Sequence, residues 1–172
     1  MINYDLKKIK GLAFDVDGVL SRQTISLAQN GEPLRTINIR DGYAIQLAVK
    51  KGLHLAIITG GKSESVYKRY ESLGVQDIFL SVSIKIKKYE EWLEKCGLKD
   101  ENVIYVGDDI PDYEIMQRCG CPCCPRDAAI EIRDTAIYES PYEGGNGCCR
   151  DVIEQVMRAK GLWMSDKEAF GW

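Results

Sequence analysis

The sequence contains no long hydrophobic run. No window in its 172 residues approaches the roughly 18 apolar residues that a membrane-spanning helix needs. The opening segment, Met1 to Lys8, also has no hydrophobic stretch like that of a signal peptide. We therefore expect a cytoplasmic protein that does not associate with membranes.

An excess of charge of one sign is absent as well. The chain has 23 Lys and Arg against 26 Asp and Glu, a net charge of −3. It therefore has no general positive field that would attract nucleic acid or anionic lipid. Any anion-binding site must be local, and nucleic acid is not an expected partner.

The length leaves little room for a second large domain. At roughly 150 residues per domain, the chain is expected to form one domain over residues 1–160 without a separate cap domain, followed by a tail over residues 161–172. The tail carries Trp163, Phe170 and Trp172 among polar residues. It is either frayed or docked on another surface.

Histidine is nearly absent, whereas cysteine is not. His54 has no partner histidine, so we interpret it as structural. The seven cysteines, an odd number, indicate free thiols in a reducing compartment. Cys121 and Cys124 have the spacing of one zinc knuckle, but no convincing second knuckle accompanies them. We predict instead that these thiols are small buried side chains of a strand.

The hydrophobic residues form short runs separated by segments of helical periodicity. Three runs have the length and composition of strands buried on both faces of a parallel sheet: Leu12 to Val16, His54 to Thr59 and Val103 to Val106. Capping residues and glycines predict helices in three places: from Asp41 to about Lys51, from Ser63 to before Gly74, and from Lys85 to Cys96. This alternation predicts a doubly wound α/β fold with a parallel sheet.

One segment, a hairpin flap over about residues 22–40, departs from this alternation. Two alternating strands are predicted around Asn30-Gly31, a strong hairpin signal. Ile25 and Leu27 lie on one predicted arm, and Ile37 and Ile39 on the other. A two-stranded ribbon is marginal by itself in water, so the hairpin packs either on its own domain or against other copies; we favour the second.

The most informative stretches are acidic. Asp15 and Asp17 directly follow the first predicted strand, and residues two apart in an extended chain point to the same side. Asp108, Asp109 and Asp112 follow the third. Both clusters thus lie at the carboxyl ends of strands, where open α/β sheets bind ligands. Together they can hold Mg²⁺, which favours one or two carboxylates, water and phosphate oxygens.

A glycine-rich segment, Thr59-Gly60-Gly61-Lys62-Ser63, follows the second predicted strand. Hydroxyl and N–H groups at the N-terminus of a helix suit a phosphate. The end of this segment matches a nucleotide-binding P-loop, but that motif requires glycine where this chain has Ala56. We therefore predict a phosphate site of another kind.

Taken in order, these motifs resemble those of a known family. Asp15-x-Asp17-Gly18, Thr59-Gly60, Lys85 and Gly107-Asp108-Asp109 are similar to the four motifs of the haloacid dehalogenase superfamily, over residues 12 to about 158. A narrower resemblance, to the capless 3-deoxy-D-manno-octulosonate 8-phosphate phosphatases of lipopolysaccharide sugar biosynthesis, rests on four segments: Asp15 to Leu20, Asn38 to Gly42, Ile57 to Gly60, and Gly144 to Gly147 with Arg150.

The resemblance implies a mechanism. Asp15 is the expected nucleophile, which forms an aspartyl-phosphate, and Asp17 is the expected general acid and base. Mg²⁺ is expected on Asp15, the backbone carbonyl of Asp17 and Asp108, while Thr59 and Lys85 bind phosphate oxygens. Two further acidic residues are expected to support this set: Asp109 and Asp112.

The resemblance also implies how a small sugar-acid phosphate binds. Arg40 suits its carboxylate, because a guanidinium meets a carboxylate through two hydrogen bonds. The hairpin is expected to pack with three neighbours in a homotetramer, where a neighbouring subunit supplies the missing lid. The expected substrate ligands are Asp17, Asn38, Ile39, Arg40, Asp41, Gly42, Gly60, Arg69 and Lys85.

Several departures from the family pattern leave the sugar open. Gln46 and Gly61 stand where many relatives have arginine, and Asn146 stands where arginine is common. Pocket contacts decide which acid sugar is favoured, so a nine-carbon 2-keto-3-deoxy sugar acid 9-phosphate is the alternative substrate. A non-catalytic protein that binds a sugar phosphate is the alternative function, although such a protein has no need of the full motif set.

Overall fold

A six-stranded parallel sheet with a separate hairpin organises the chain. The computed structural model describes all 172 residues. It contains eight strands: β1 (Gly11–Phe14), β2 (Ser26–Leu27), β3 (Pro33–Leu34), β4 (His54–Ile58), β5 (Asp77–Phe79), β6 (Val103–Val106), β7 (Cys121–Cys124) and β8 (Tyr138–Glu139). β2 and β3 form the hairpin, and the other six form the sheet.

The order of the strands shows a doubly wound sheet. From one edge to the other it is β5-β4-β1-β6-β7-β8, and neighbouring strands are parallel. The chain runs outward from β1 to β5, returns to β6 on the other side of β1, and runs outward again. This reversal creates a crevice at the carboxyl ends of β1 and β6. The predicted α/β fold is confirmed.

Helices cover both faces of the sheet. They are α1 (Ile39–Lys50), α2 (Glu64–Glu71), α3 (Lys85–Cys96), α4 (Tyr113–Arg118), α5 (Ile130–Thr135) and α6 (Cys148–Ala159). Since side chains alternate between the faces of a strand, Leu12 and Phe14 pack with α1, α2 and α6. Ala13 packs with α3, α4 and α5 on the other face. None of these helices combines the length and hydrophobicity required to cross a membrane.

The predicted helix boundaries hold for α2 and α3 but not for α1. Ser63 caps α2 by accepting a hydrogen bond from the N–H of Val66, and Gly97 ends α3 at φ +63°. The prediction that Asp41 caps the first helix was wrong. Asn38 is the cap, because its backbone is extended and its side-chain oxygen accepts the N–H groups of Arg40 and Asp41.

The hairpin is present but shorter than predicted. Only Ser26 to Leu27 and Pro33 to Leu34 pair, so the placement of Ile37 and Ile39 on its second arm was wrong. Ile39 is the first residue of α1. The chain leaves the ribbon early, and the N–H of Thr36 donates instead to Oγ of Ser21 at 3.0 Å, in the loop that follows β1.

The tail docks on its own chain. The ring of Tyr43, on α1, meets the rings of Trp163 and Trp172 edge to face, with each pair of centroids 6.0 Å apart. The guanidinium of Arg150, on α6, lies 4.4 Å from the centroid of Trp163. Nζ of Lys51 forms ion pairs with carboxylates of the tail. Of the two alternatives for the tail, frayed or docked, the structure shows a docked tail.

The cysteines are free, and six of the seven are buried. Cys121, Cys123 and Cys124 lie on β7, so the prediction of buried thiols on a strand is confirmed. Burial raises the pKa of Cys119 and of Cys124 to about 12. Because the thiolate is the reactive form, these side chains are inert core residues.

Candidate active site

The sheet brings three loops together at one edge. Phe14, the last residue of β1, lies opposite Ile57 of β4 on one side and Val106 of β6 on the other. Asp15 therefore leaves the sheet between the loop that begins near Thr59 and the loop that carries the second acidic cluster. Adjacent parallel strands end at the same edge, which is why motifs far apart in the sequence meet here.

These loops surround a cavity of about 770 Å³. Most of its lining is polar. Seven predicted site residues line it: Asp15, Asp17, Thr59, Gly60, Lys85, Asp108 and Asp109. The structure thus collects the predicted catalytic and phosphate-binding side chains around one space.

Lys85 links two carboxylates at the base of this site. It begins α3, and its Nζ lies 2.9 Å from Oδ1 of Asp15 and 2.7 Å from Oδ1 of Asp112. Burial by itself lowers the pKa of Lys85, but the attraction of Asp15 and Asp112 outweighs it and raises the pKa above its usual value. The lysine is therefore a cation at neutral pH, suited to binding a phosphate oxygen beside Asp15.

Asp112 is held entirely by protein donors and is fully buried. Its Oδ1 accepts hydrogen bonds from Lys85 and from the hydroxyl of Tyr105 at 2.6 Å. Its Oδ2 accepts the N–H of Asp108 at 3.1 Å. These contacts agree with the predicted supporting role, since they fix both Lys85 and the backbone of the second acidic loop. Sequence reasoning missed Tyr105, which projects from β6 toward α3.

Three carboxylates at the base of the site fit a cation. Asp15, Asp108 and Asp112 each place an oxygen within 4.8 Å of the others, and Oδ1 of Asp108 is buried without a hydrogen-bond partner. Burial, together with repulsion from neighbouring carboxylates, raises the pKa of Asp15 to about 7 and that of Asp108 to about 8. A bound Mg²⁺ would remove this repulsion, because hard cations take oxygen ligands of this kind.

Gly18 allows the two acidic loops to approach each other. Its φ is +89°, a conformation that L side chains rarely adopt. A Cβ at this position would lie 1.9 Å from Oδ2 of Asp108. The glycine after the first acidic pair is thus required by both backbone conformation and space.

Thr59 shapes the third loop. It is buried, and its Oγ1 accepts the N–H of Gly61 at 3.1 Å. Its backbone N–H donates to Phe79 of β5, and its carbonyl accepts the N–H of Val82. The loop is therefore held in a fixed conformation beside the acidic residues.

Arg35 contacts Asp17, a relationship that the sequence did not reveal. Nε of Arg35 donates to Oδ1 of Asp17 and Nη2 donates to Oδ2, both at 2.8 Å. Arg35 follows the hairpin in the sequence. No periodicity or motif identified it as a site residue.

The remaining predicted substrate ligands lie outside this cavity in the single chain. Asn38, Ile39 and Arg40 line a second cavity of about 990 Å³ together with Arg150 of α6. Asp41 is buried and accepts the N–H of Arg150 at 2.6 Å. Two other predicted ligands lie next to each other. A guanidinium nitrogen of Arg69 lies close to the backbone of Gly42, a residue of α1.

Comparisons with known proteins agree with this fold. The family model described as haloacid dehalogenase-like hydrolase matches residues 42–125. The 3-deoxy-D-manno-octulosonate 8-phosphate phosphatase of Escherichia coli (strain K12) is 37% identical over 155 residues, which cover 90% of this chain and 82% of that protein. The chain therefore belongs to the haloacid dehalogenase-like hydrolase family.

Solved structures give the same result in three dimensions. The 3-deoxy-D-manno-octulosonate 8-phosphate phosphatase of Moraxella catarrhalis, in complex with a magnesium ion, a phosphate ion and a KDO molecule, is similar with a TM-score of 0.87 and 30% identity, covering 92% of this chain and 91% of that one. The corresponding Yersinia pestis structure has a TM-score of 0.88 and 32% identity, covering 92% and 85% of the two chains.

Proposed function

We propose that this protein is a Mg²⁺-dependent phosphatase that hydrolyses 3-deoxy-D-manno-octulosonate 8-phosphate to the free sugar acid and phosphate. The observation that carries the proposal is the buried contact of Lys85 with Asp15, next to Asp108, at the edge shared by β1 and β6. Relatives with this named activity, which cover most of the chain, support the choice of substrate.

Each step of the reaction has a residue available. A carboxylate oxygen of Asp15 attacks phosphorus, while the bond to the sugar oxygen breaks and Asp17 protonates that oxygen. Asp17 then takes a proton from the water that hydrolyses the aspartyl-phosphate. Thr59, Gly60 and Lys85 bind the other phosphate oxygens. Bound Mg²⁺, held by Asp15, the carbonyl of Asp17 and Asp108, would neutralise the charge of the phosphate.

We further propose that the protein acts as a homotetramer joined through its hairpins. Leu27 and Leu34 lie on the two paired arms and are 66% and 53% exposed, and an apolar ribbon of this kind is stabilised by a partner. In such an assembly, a neighbouring subunit forms a lid over the site. The sugar acid then binds there with contributions from Asn38 to Gly42 and from Arg69. The free thiols support a reducing compartment, the cytoplasm.

The test is phosphate release by the purified protein. The substrates are the eight-carbon and nine-carbon 2-keto-3-deoxy sugar acid phosphates and simple phosphate esters, each with Mg²⁺ and with a chelator. We expect Mg²⁺-dependent release with preference for the eight-carbon acid. Preference for the nine-carbon acid would contradict the substrate but not the reaction, whereas no release from any ester would favour a binding protein.

Asp15→Asn is the variant that tests the mechanism. The amide cannot form the aspartyl-phosphate, so turnover should be abolished while the protein remains folded. Asp134→Asn, an exposed aspartate of α5, is the matched control and should retain full activity. Near-normal hydrolysis by Asp15→Asn would contradict the mechanism.

A further inference from the structure

Arg35 contacts Asp17, a residue that lines the catalytic cavity of the same chain. Arg35 follows β3, 18 residues after Asp17 in the sequence. Its guanidinium donates one hydrogen bond to each carboxylate oxygen of Asp17, both at 2.8 Å. The Arg35 side chain is only 8% exposed, whereas that of Asp17 is 41% exposed. A two-point contact of a planar guanidinium with a carboxylate fixes orientation as well as distance.

Gly61 provides the space for this guanidinium. A Cβ at position 61 would lie 2.5 Å from Nη2 of Arg35 and 3.2 Å from its Cζ. Gly61 is not among the glycines with positive φ, so its backbone conformation does not itself require glycine. A side chain at this position would therefore displace the guanidinium of Arg35.

The contact leaves Asp17 able to react. A carboxylate has about four lone-pair sites, and the two hydrogen bonds from Arg35 use only two of them. Asp17 also lines the catalytic cavity. Arg35 thus holds the side chain in one orientation without closing it off from the cavity.

We propose that Arg35 is a positioning residue for Asp17, and that Gly61 is matched to it by leaving room for its guanidinium. This inference rests on the proposed function, in which Asp17 protonates the sugar oxygen. The segment that follows the hairpin then supplies, from outside the phosphate-binding loop, the group that orients the general acid.

The experiment uses two phosphate esters that differ in their need for a general acid. An alkyl sugar-acid phosphate has a poor leaving group that must be protonated, whereas p-nitrophenyl phosphate has a good leaving group that needs little protonation. General acid catalysis contributes about 100- to 10,000-fold. In Arg35→Ala we expect kcat/KM for the alkyl ester to fall by about 10- to 100-fold, a part of that contribution, and kcat/KM for the aryl ester to change little.

Further variants separate positioning from a structural effect. Gly61→Ala keeps Arg35 but displaces its flexible end, so it should show the same selective loss. Arg35→Lys, which keeps the charge but not the two-point contact, should recover part of the activity. Arg133→Ala removes another arginine that pairs with a carboxylate, Glu139, away from the cavity, and should change neither ester.

Non-additivity with Asp17 provides the decisive check. If Arg35 acts through Asp17, adding Arg35→Ala to Asp17→Asn should lower alkyl-ester turnover no further. The inference would be overturned if Gly61→Ala and Arg35→Ala each lowered kcat/KM equally for both esters, or if neither variant lowered it for either ester. Both results would leave the proposed function intact. A wild-type protein inactive on both esters would overturn the proposed function and the inference together.

Discussion

The ammonium of Lys85 lies 2.7 Å from Oδ1 of Asp112, in an ion pair whose two side chains are almost fully buried. Asp112 is also the acceptor for Tyr105 and for the backbone of the second acidic loop. One carboxylate therefore orients both the lysine beside Asp15 and the loop that carries Asp108. Lys85 would keep Asp15 as a partner if Asp112 lost its charge, but buried donors that now meet Asp112 would be left without an acceptor.

Asp112→Asn should accordingly destabilise the protein by roughly 1–3 kcal/mol and lower kcat. The amide nitrogen cannot accept a hydrogen bond, so donors that now meet the carboxylate lose a partner. Urea unfolding measures the stability. Glu64→Gln, which removes an exposed helical ion pair with Lys68, is the control and should change the stability little. Equal effects of the two substitutions would contradict the buried arrangement.

Mg²⁺ binding should release protons and strengthen as the pH rises. The pKa values of Asp15 and Asp108, raised to about 7 and about 8 by burial and repulsion, mean that these groups hold protons over part of the neutral range when no metal is bound. A cation requires the carboxylate form, so affinity should rise between about pH 6 and about pH 8, the range these pKa values define. Calorimetry in two buffers of different ionisation enthalpy measures the proton release.

Asp108→Asn should weaken Mg²⁺ binding and reduce this pH dependence. In wild-type protein, saturation with Mg²⁺ at about 100 times the dissociation constant should stabilise the fold by about 2.7 kcal/mol. Affinity that does not change with pH, or an Asp108→Asn variant that binds as well as wild type, would argue against a metal between these carboxylates.

Asp41 should make the stability of the metal-free protein depend on pH. Burial raises its pKa from 3.8 to about 6, and its Oδ2 is buried without a partner. A carboxyl group whose pKa is higher in the folded state stabilises that state below the unfolded pKa. This stabilisation is lost as the pH rises through about 6.

Asp41→Asn should remove this part of the pH profile. At about pH 7 the variant should be more stable than wild type by up to about 3 kcal/mol, since the neutral amide retains an acceptor for the N–H of Arg150. Urea unfolding in the presence of a chelator measures it at several pH values. Asp134→Asn, at an exposed position, is the control. A variant profile parallel to that of wild type would show that Asp41 is not responsible.

The hairpin should control assembly. We expect light scattering to give a mass about four times the 19.4 kDa of one chain. Replacing Leu27 and Leu34 together by glutamate should dissociate the assembly, because four copies would then bring like charges together at an apolar contact. Ile130→Glu, at a residue that is 67% exposed on α5, should leave the mass unchanged. A monodisperse monomer of the wild-type protein would contradict the tetramer.

Much of the catalytic site follows from local sequence patterns. Asp15, Thr59 and Asp108 each come just after a short apolar strand, and the ends of parallel strands share one edge of a sheet. In a fold of alternating strands and helices, these motifs therefore have to lie near one another. The buried thiols of β7 also follow from the sequence, since free cysteine is among the most buried residue types and suits an apolar strand.

Local sequence patterns were thus enough to predict the fold class, the edge of the sheet at which the acidic motifs meet and several of the side chains that gather there. Tertiary packing is responsible for three features that no local pattern predicted: Arg35 contacts Asp17, the tail packs on Tyr43, and Asn38 to Arg40 line a second cavity. Periodicity and turn signals report interactions over a few residues. Contacts between distant side chains depend on how helices and loops pack around the finished sheet, which no local pattern records.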